Sequence, residues 1–310
     1  MKYQCKNFKF LKMLKMELMV ILLGGLFGVV FLSILERKVL GVIQIRVGPN
    51  KTGPLGLFQS MIDAMKLILK EFMMQMNLVF WVWFFFPALM CLMAFYVWLI
   101  FPNLMENYSL DLGVMFLILI LSFEGYSLLY MSYLSNNSYS FMSSFRGVAL
   151  IISYEVVFFL IVLSFLISLN TLSLNMLYFL QKWGISLLIL MYLYMVMSMF
   201  SFSIESNRSP CDLVEGESEL ISGFSIEYVG VSMSFIFITE YLKLMTMMLV
   251  FCVLYFGHTL YFWGVFFSFF MLWLRASFPR FRYDYLMMMT WKNFMPLLLG
   301  LYYIFFMMFL

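Results

Sequence analysis

The sequence predicts an all-α polytopic membrane protein with about eight transmembrane helices. Hydrophobic residues make up 65% of the 310 residues and charged residues only 11%, and the mean hydropathy of +0.98 lies outside the range of water-soluble domains. Apolar stretches recur at about the 20-residue length that a helix needs to cross the hydrocarbon core. No alternating pattern runs through these stretches, which argues against a transmembrane barrel. We therefore expect residues 1–310 to form a single transmembrane domain.

The apolar stretches fix the order of the predicted spans. The sixth and seventh spans are hard to separate, because Gly257 and His258 are the only interruption of an otherwise continuous apolar run. The eight predicted spans cover residues 18–35, 79–101, 112–131, 148–169, 183–203, 229–253, 254–274 and 294–310.

The distribution of basic residues predicts the orientation. The loops after spans 1, 3, 5 and 7 contain twelve Lys or Arg residues, whereas the intervening loops contain one, Lys182. By the positive-inside rule the basic loops face the cytoplasm or its organellar equivalent, the matrix. Residues 1–17 are the exception, since they carry five lysines spaced along one helical face. We expect these residues to form an interfacial amphipathic lead-in, although Met13 and Met16 leave open a later start of translation.

Several kinds of chemistry are excluded by the residues present. The single histidine and four scattered cysteines cannot supply a metal cage, a bis-histidine haem or an iron–sulfur cluster. We interpret Cys5, Cys91, Cys211 and Cys252 as apolar fillers. The glycines of residues 48–54 lack the Lys and Ser or Thr of a phosphate-binding loop. We therefore expect this chain to bind no metal, nucleotide or nucleic acid.

The first basic loop, residues 36–78, contains a predicted amphipathic surface helix. Gln59, Asp63, Lys66 and Lys70 recur at intervals of four, three and four, with apolar residues between them. One interpretation is a basic anchor on anionic lipid. The other is one wall of an entrance for a ligand that has a polar head and a tail lying in lipid.

Charged residues also stand inside the predicted spans. Glu155 lies about two turns into span 4, where an ionised carboxylate costs several kcal/mol unless it is paired or hydrated. It is either a structural hydrogen-bonding residue or a functional acid. Glu240 lies near the middle of span 6 with Lys243 three residues later, so the two can pair on one helix face. Glu124 stands similarly deep in span 3.

A second polar loop, residues 204–228, is strongly acidic. Its only basic residue is Arg208, so repulsion raises the pKa of some carboxyls, and the coupled set can exchange protons near neutral pH. The alternative is a solvated loop that binds a basic partner subunit. The six carboxylates are Glu205, Asp212, Glu215, Glu217, Glu219 and Glu227.

The polar motifs resemble those of a known family. Taken together, they are similar in order and spacing to subunit 1 of the NADH dehydrogenase of respiratory complex I, the NADH-ubiquinone oxidoreductase, over about residues 35–295. The motifs that carry the resemblance are LERKVLG at residues 35–41, GPN at 48–50, SYE at 153–155, ESNRSP at 205–210, EGESEL at 215–220 and PRFRYD at 279–284.

The resemblance implies a role in a redox complex. It implies that this chain forms much of the ubiquinone chamber, binds no cofactor itself and leaves flavin mononucleotide and iron–sulfur clusters to partner subunits. Those partners would be the peripheral-arm subunits of the quinone module and the antiporter-like membrane subunits. It also implies a multi-pass protein of the mitochondrial inner membrane, and the abundance of Phe, Met and Tyr fits a mitochondrial gene.

The family's functional residues carry over onto matching positions. The implied lining of the quinone chamber and its entrance is Arg37, Arg46, Asp63, Lys66 and Phe224. The implied proton-coupling acids are Glu36, Glu155, Glu205, Asp212, Glu215, Glu217, Glu219, Glu227 and Glu240. The implied supporting basic residues are Arg146, Arg208, Arg280 and Arg282.

Two charged residues depart from the family pattern. Glu124 and Lys243 stand where the resemblance implies small or neutral residues, which suggests that they compensate each other between spans 3 and 6. Their predicted depths differ by roughly 10 Å at 1.5 Å per residue, so this pairing is a hypothesis.

Two other classes of protein stay open. A secondary transporter should show broken helices or an internal repeat, and a structural scaffold needs no buried glutamates.

Overall fold

The described part of the chain is helical, as the sequence predicts. The computed structural model describes residues 2–70, 80–100, 112–169, 172–174, 191–212, 223–257 and 260–309, and these ranges contain helices, turns and loops but no strand. The α-helices are α1 (Lys2–Ile43), α2 (Gln59–Leu69), α3 (Phe80–Ile100), α4 (Gly113–Leu134), α5 (Ser138–Leu169), α6 (Tyr192–Glu205), α7 (Val231–Tyr255), α8 (Leu260–Ser277), α9 (Tyr283–Met288) and α10 (Met295–Phe309). A π-helical segment, Met289–Phe294, joins α9 to α10.

Four described helices are long and apolar enough to cross a membrane. They are Met19–Ile43, Gly113–Leu134, Ser138–Ile167 and Val231–Tyr255, and shorter apolar helices cover Trp83–Trp98 and Phe262–Ser277. These six correspond to predicted spans 1, 3, 4, 6, 2 and 7. Helix α6 covers the second part of span 5, whose residues 183–190 lie outside the described ranges, and α10 covers most of span 8.

Several helix boundaries differ from the predicted spans, and α1 ends at Ile43 rather than at residue 35, so that Glu36, Arg37 and Lys38 are helical. Helix α1 runs for 42 residues, so the lysine-rich segment continues into span 1 without a break, and its interfacial position stays a prediction. Helix α5 begins at Ser138 rather than near residue 148, because its polar first turns pack against α4 instead of leaving the bundle. Helix α7 continues to Tyr255, and the break before α8 follows at Gly257, where φ is +55°.

Helix α7 is the centre of the bundle. It packs against α1, α2, α3, α6 and α8, and 72% of its apolar stretch is buried, against 28% for α1. Near its end Phe251 packs on Phe267 of α8 at a ring distance of 4.2 Å and on Phe202 of α6 at 6.1 Å. A charged residue on α7 therefore faces other helices and not lipid.

Several hydroxyl groups within the bundle donate hydrogen bonds to the backbone of their own helix. Ser143, Ser164 and Thr239 each donate to the backbone carbonyl three residues earlier at 2.6–2.7 Å. This pattern gives the hydroxyl a partner where water is absent. Ser132 of α4 and Ser144 of α5 also bond each other at 2.6 Å, and such small residues let two helices approach closely. The α4–α5 hairpin that carries Glu124 and Glu155 is thus tightly packed.

The loop after α1 folds back and places α2 beside α1 and α7. Gly56 has a φ of +73°, and a Cβ added there would lie 2.2 Å from the carbonyl oxygen of Pro49. Only glycine fits so close a backbone approach at positive φ. Helix α2 then runs along the surface with no buried residue, which confirms the predicted amphipathic surface helix.

The basic loops after spans 1, 5 and 7 meet at one end of the bundle. The backbone N–H of Phe281 donates to the carbonyl of Pro210 at 3.0 Å, and Arg275 donates through Nε to Ser209 at 2.9 Å. Arg275 also pairs with Glu36 at the end of α1. The contacts agree with the common side that the charge distribution predicts.

Replacing Gly56 tests the folded-back loop. We expect Gly56→Ala to destabilise the protein by about 1–3 kcal/mol, because the methyl group meets Pro49 and alanine is strained at this φ. The midpoint of thermal unfolding in detergent measures this effect. Gly24→Ala is the matched control, since Gly24 is helical and a Cβ there meets nothing within 4 Å. An equal response of the two variants would contradict the proposed role of Gly56.

Candidate functional site

A cavity of about 470 Å³ lies between α1, α2 and α7. This volume falls within the range of pockets that hold small molecules. Its polar side chains include Arg37, Asp63 and Lys66, and its apolar wall includes Leu26 of α1 and Phe237 of α7. One part of the cavity can therefore contact a polar head while another contacts a hydrocarbon tail. The remaining lining residues are Val29, Val30, Ser33, Ser60, Ala64, Leu67, Lys70, Ser234, Ile238 and Tyr241.

An ion pair closes the polar part of this cavity. Arg37 Nη1 lies 2.6 Å from Asp63 Oδ2, and Gln59 Nε2 donates to the other carboxylate oxygen of Asp63 at 3.2 Å. The pair joins the end of α1 to α2 across the folded loop. Both side chains are partly exposed, so the pair positions α2 more than it stabilises the fold.

The structure brings together some of the predicted entrance residues and not others. Arg37, Asp63 and Lys66 line the cavity. Arg46 is exposed in the turn after α1 and is not part of this lining. Phe224 is buried and belongs to a second, smaller cavity.

Tyr241 separates the large cavity from a group of buried charges. Its ring lines the cavity, and its hydroxyl donates to Glu36 Oε2 at 2.7 Å. Glu36 is buried with an exposure of 4% and is also paired with Arg275. The phenol thus connects the cavity to a carboxylate that is held on its other side by a guanidinium group.

Arg208 contacts the same tyrosine from the acidic loop. Its guanidinium carbon lies 4.4 Å from the centre of the Tyr241 ring, a cation–π distance. Arg208 Nη2 also donates to Glu240 Oε2 at 2.8 Å, and the side chains are only 13% and 11% exposed. Removing one partner of so buried a pair is therefore expected to destabilise the protein.

Lys243 pairs with Glu124 and not with Glu240. The Lys243 ammonium of α7 contacts the Glu124 carboxylate of α4, with side-chain exposures of 8% and 5%. The hypothesis of compensation between spans 3 and 6 is confirmed. The predicted pairing of Glu240 with Lys243 on one helix is wrong, because each side chain reaches a partner on a different neighbouring element.

A second cavity lies between these two ion pairs. It measures about 20 Å³, which is enough for one water molecule with several polar partners. Glu124, Lys243 and Glu240 line it together with Asn207 and Thr239. Its other lining residues are Met90, Leu128, Ser206, Phe224 and Ile236.

Two further glutamates lie within electrostatic range of Lys243. Glu205, at the end of α6, interacts with Lys243, Glu124 and Glu155. Its side chain is buried, and its Oε1 atom has no hydrogen-bond partner among the described residues. Glu155 of α5 is half-buried and also interacts with Lys243. Four helices thus place three acids around one lysine.

The other predicted residues lie toward the loops. Asp212 pairs with Arg280 at 3.3 Å, and Asn137 donates to Glu227. Arg282 pairs with Asp284 at 2.9 Å on the exposed surface, and Arg146 is exposed on α5. The predicted acids Glu215, Glu217 and Glu219 lie outside the described residues.

Some contacts at the site were not predicted. The sequence contains no pattern that identifies the partners of Tyr241, Arg275 and Asn137, although Tyr241 directly follows Glu240. Within the described ranges, no three His, Cys, Asp or Glu side chains are grouped so as to hold a metal ion. Burial raises the pKa of Cys211 to about 12, so this thiol stays protonated, as an apolar filler should.

Comparison with known proteins gives one consistent family. A family model described as NADH dehydrogenase matches residues 16–306. The chain is 38% identical over 294 residues to NADH-ubiquinone oxidoreductase chain 1 of Aedes aegypti, covering 90% of each chain. It is 42% identical over 286 residues to the protein of that name from Myxine glutinosa, covering 89% of this chain and 90% of the relative. For Apis mellifera ligustica the identity is 35% over 308 residues.

The ion pair of Glu124 and Lys243 gives a stability test. We expect Lys243→Met to destabilise the protein by about 3–5 kcal/mol, because it leaves Glu124 buried and unpaired. Adding Glu124→Gln should recover most of that loss. Thermal unfolding of Lys243→Met, of Glu124→Gln and of the double variant completes the double-mutant cycle.

An exposed ion pair serves as the control for this cycle. Arg282→Gln removes one partner of the Arg282–Asp284 pair, whose side chains are 84% and 60% exposed, and should change the stability by less than about 1 kcal/mol. If Lys243→Met destabilises the protein no more than Arg282→Gln does, the buried pair does not contribute to stability as described.

Proposed function

The chain belongs to the NADH dehydrogenase family, and on that basis we propose that it is a core membrane subunit of proton-translocating NADH:ubiquinone oxidoreductase. In this proposal it forms part of the ubiquinone chamber and begins the acidic path that couples quinone reduction to proton translocation. Flavin mononucleotide and iron–sulfur clusters belong to partner subunits, which include the peripheral-arm quinone module and antiporter-like membrane subunits. The complex lies in the mitochondrial inner membrane.

The observation that supports this proposal most strongly is the contact between the large cavity and the buried charges. The cavity has the polar and apolar walls that suit a quinone head and its isoprenoid tail. Tyr241 stands in its wall and touches both Glu36 and Arg208. A change of charge or position in the cavity can therefore act directly on paired groups inside the bundle.

The coupling mechanism follows from electrostatics at short range. Reduction of quinone takes up protons and changes the local charge, and carboxyls in a low-dielectric environment respond strongly to such a change. Arg208 contacts both Tyr241 and Glu240, so a change at the cavity wall acts on this ion pair. The disturbance then reaches the group of Glu124, Lys243, Glu205 and Glu155, and from there the antiporter-like neighbours.

Narrowing the cavity tests the quinone site. Ala64 is exposed on α2 and lines the cavity, so Ala64→Phe should enter it without disturbing the core. We expect the KM for a short-chain ubiquinone to rise roughly tenfold, equivalent to about 1.4 kcal/mol of lost binding, with little change in kcat. Steady-state assays on the assembled complex measure both constants.

The neighbouring residue provides the control for this variant. Met65 is 60% exposed and does not line the cavity, so Met65→Phe should leave KM unchanged. Electron transfer from NADH to a water-soluble acceptor should be normal in both variants, since that reaction bypasses the chamber. A normal KM for Ala64→Phe would place the quinone elsewhere.

Neutralising the buried acids tests the coupling path. We expect Glu155→Gln and Glu205→Gln to abolish quinone reduction or the proton translocation coupled to it, because an amide cannot carry a proton between states. Proton uptake per electron in sealed vesicles is the measurement. Asp284→Asn, which removes an acid that is 60% exposed, should leave both values intact. Normal turnover and normal stoichiometry in Glu155→Gln and Glu205→Gln would refute the path.

A further inference from the structure

Lys243 and Glu124 are not among the proton-coupling residues that the family resemblance implies, yet they form a buried ion pair. Burying two charges is expensive, and well-packed apolar residues could replace such a pair without loss of stability. The pair is not isolated, however, because Lys243 also interacts with Glu205 and Glu155. Its position among three acids suggests a role beyond mutual compensation.

Glu205 is the acid whose surroundings are incomplete. Its side chain is 3% exposed, and Oε1 lacks a hydrogen-bond partner among the described residues. A buried carboxyl of this kind needs either a proton or a cation. Lys243 is a cation that acts on it electrostatically, and in this structure Lys243 contacts Glu124.

The charges of these three residues balance in two arrangements. With Glu124 ionised, Lys243 charged and Glu205 protonated, the sum is zero. With Glu124 protonated, Lys243 charged and Glu205 ionised, the sum is again zero. Both arrangements therefore leave these three residues without a net charge, and an uncompensated buried charge is the costly state.

Three observations bear on movement between the two arrangements. The lysine ammonium sits on a flexible four-carbon chain with three donors, and both Glu124 and Glu205 act on it electrostatically. The water-sized cavity borders Glu124 and Lys243, and it also borders Ser206, the residue next to Glu205. A water there can carry a proton to or from the Glu124 carboxyl.

We propose that Lys243 changes its partner between Glu124 and Glu205 during turnover and thereby moves one proton through the bundle. When Glu205 releases its proton, the ammonium leaves Glu124 and neutralises the new Glu205 carboxylate. Glu124 takes up one proton through the small cavity at the same time. One proton leaves and one enters, so the charge of the three residues stays at zero.

The neighbouring charges are compatible with this exchange. Arg208 and Glu240, on the far side of the small cavity, neutralise each other at 2.8 Å. Glu155 is half-buried, and Lys243 acts on it electrostatically as well. The inference rests on the proposed function, because the exchange serves the acidic path.

The double variant Glu124→Gln, Lys243→Met separates this role from simple compensation. It removes both charges of the pair together, so assembly should survive. We expect proton-coupled quinone reduction in the assembled complex to fall roughly 10²-fold, the lower end of what a positioned proton-transfer group contributes. Wild-type rates and wild-type proton stoichiometry would overturn the proposal and leave the pair as a structural element.

The single variant Glu124→Gln gives an independent test. It leaves Lys243 charged next to Glu205 and therefore holds the group in one arrangement. Turnover should fall as in the double variant, and the infrared difference spectrum between oxidised and reduced states should lose one protonated-carboxyl band. Normal turnover with an unchanged spectrum would overturn the proposal, even if the double variant fails to assemble.

Two comparisons keep these outcomes distinct from other effects. Thr246→Val is the matched control on α7, because Thr246 is buried and donates only to the backbone carbonyl of Lys243 at 2.8 Å; turnover should be normal. If Glu205→Gln is inactive while Glu124→Gln is normal, only the exchange of partners is wrong. If Glu205→Gln is itself normal, the proposed coupling path fails as well.

Discussion

The cost of placing charge in hydrocarbon governs the arrangement of this bundle. An ionised side chain inside the membrane requires a partner, and each buried pair here joins two different elements. Glu124 of α4 is held by Lys243 of α7, and Glu240 of α7 is held by Arg208 of the acidic loop. Helix α7 supplies one member of both of these pairs. The pairs fix the positions of helices and also keep titratable groups close enough to respond to one another.

Tyr241 gives these charges access to a ligand. A phenol ring can face an apolar cavity while its hydroxyl bonds to a carboxylate and its face receives a guanidinium group. Tyr241 makes all three contacts. Tyr241 therefore links the cavity directly to Glu36 and Arg208, and an event in the cavity can change the electrostatics of these buried groups. Arg275 pairs with Glu36 and donates to Ser209, so it holds the end of α1 next to the acidic loop.

Composition and motif order predict the architecture well, whereas the pairing of individual charges depends on helix rotation. The length of their apolar stretches identifies α4, α5 and α7, because a helix needs about 20 apolar residues to cross the bilayer. The residues Glu240 and Lys243 are neighbours along one helix, yet the sequence does not say which adjacent helix each one faces, and their predicted pairing is wrong. The Glu124 and Lys243 pairing could be inferred only because both charges are unusual for the family. Tyr241 was missed because a tyrosine in an apolar helix normally indicates packing alone.

A density map of the assembled complex with reduced quinone bound, at a resolution that shows ordered water, tests this account most directly. The account predicts a quinone between α1, α2 and α7, and a polar route through Tyr241, Arg208 and a water in the small cavity to the carboxyls of Glu124 and Glu205. A map that shows lipid or a neighbouring subunit filling the large cavity, with Glu205 sealed among apolar side chains, would contradict it.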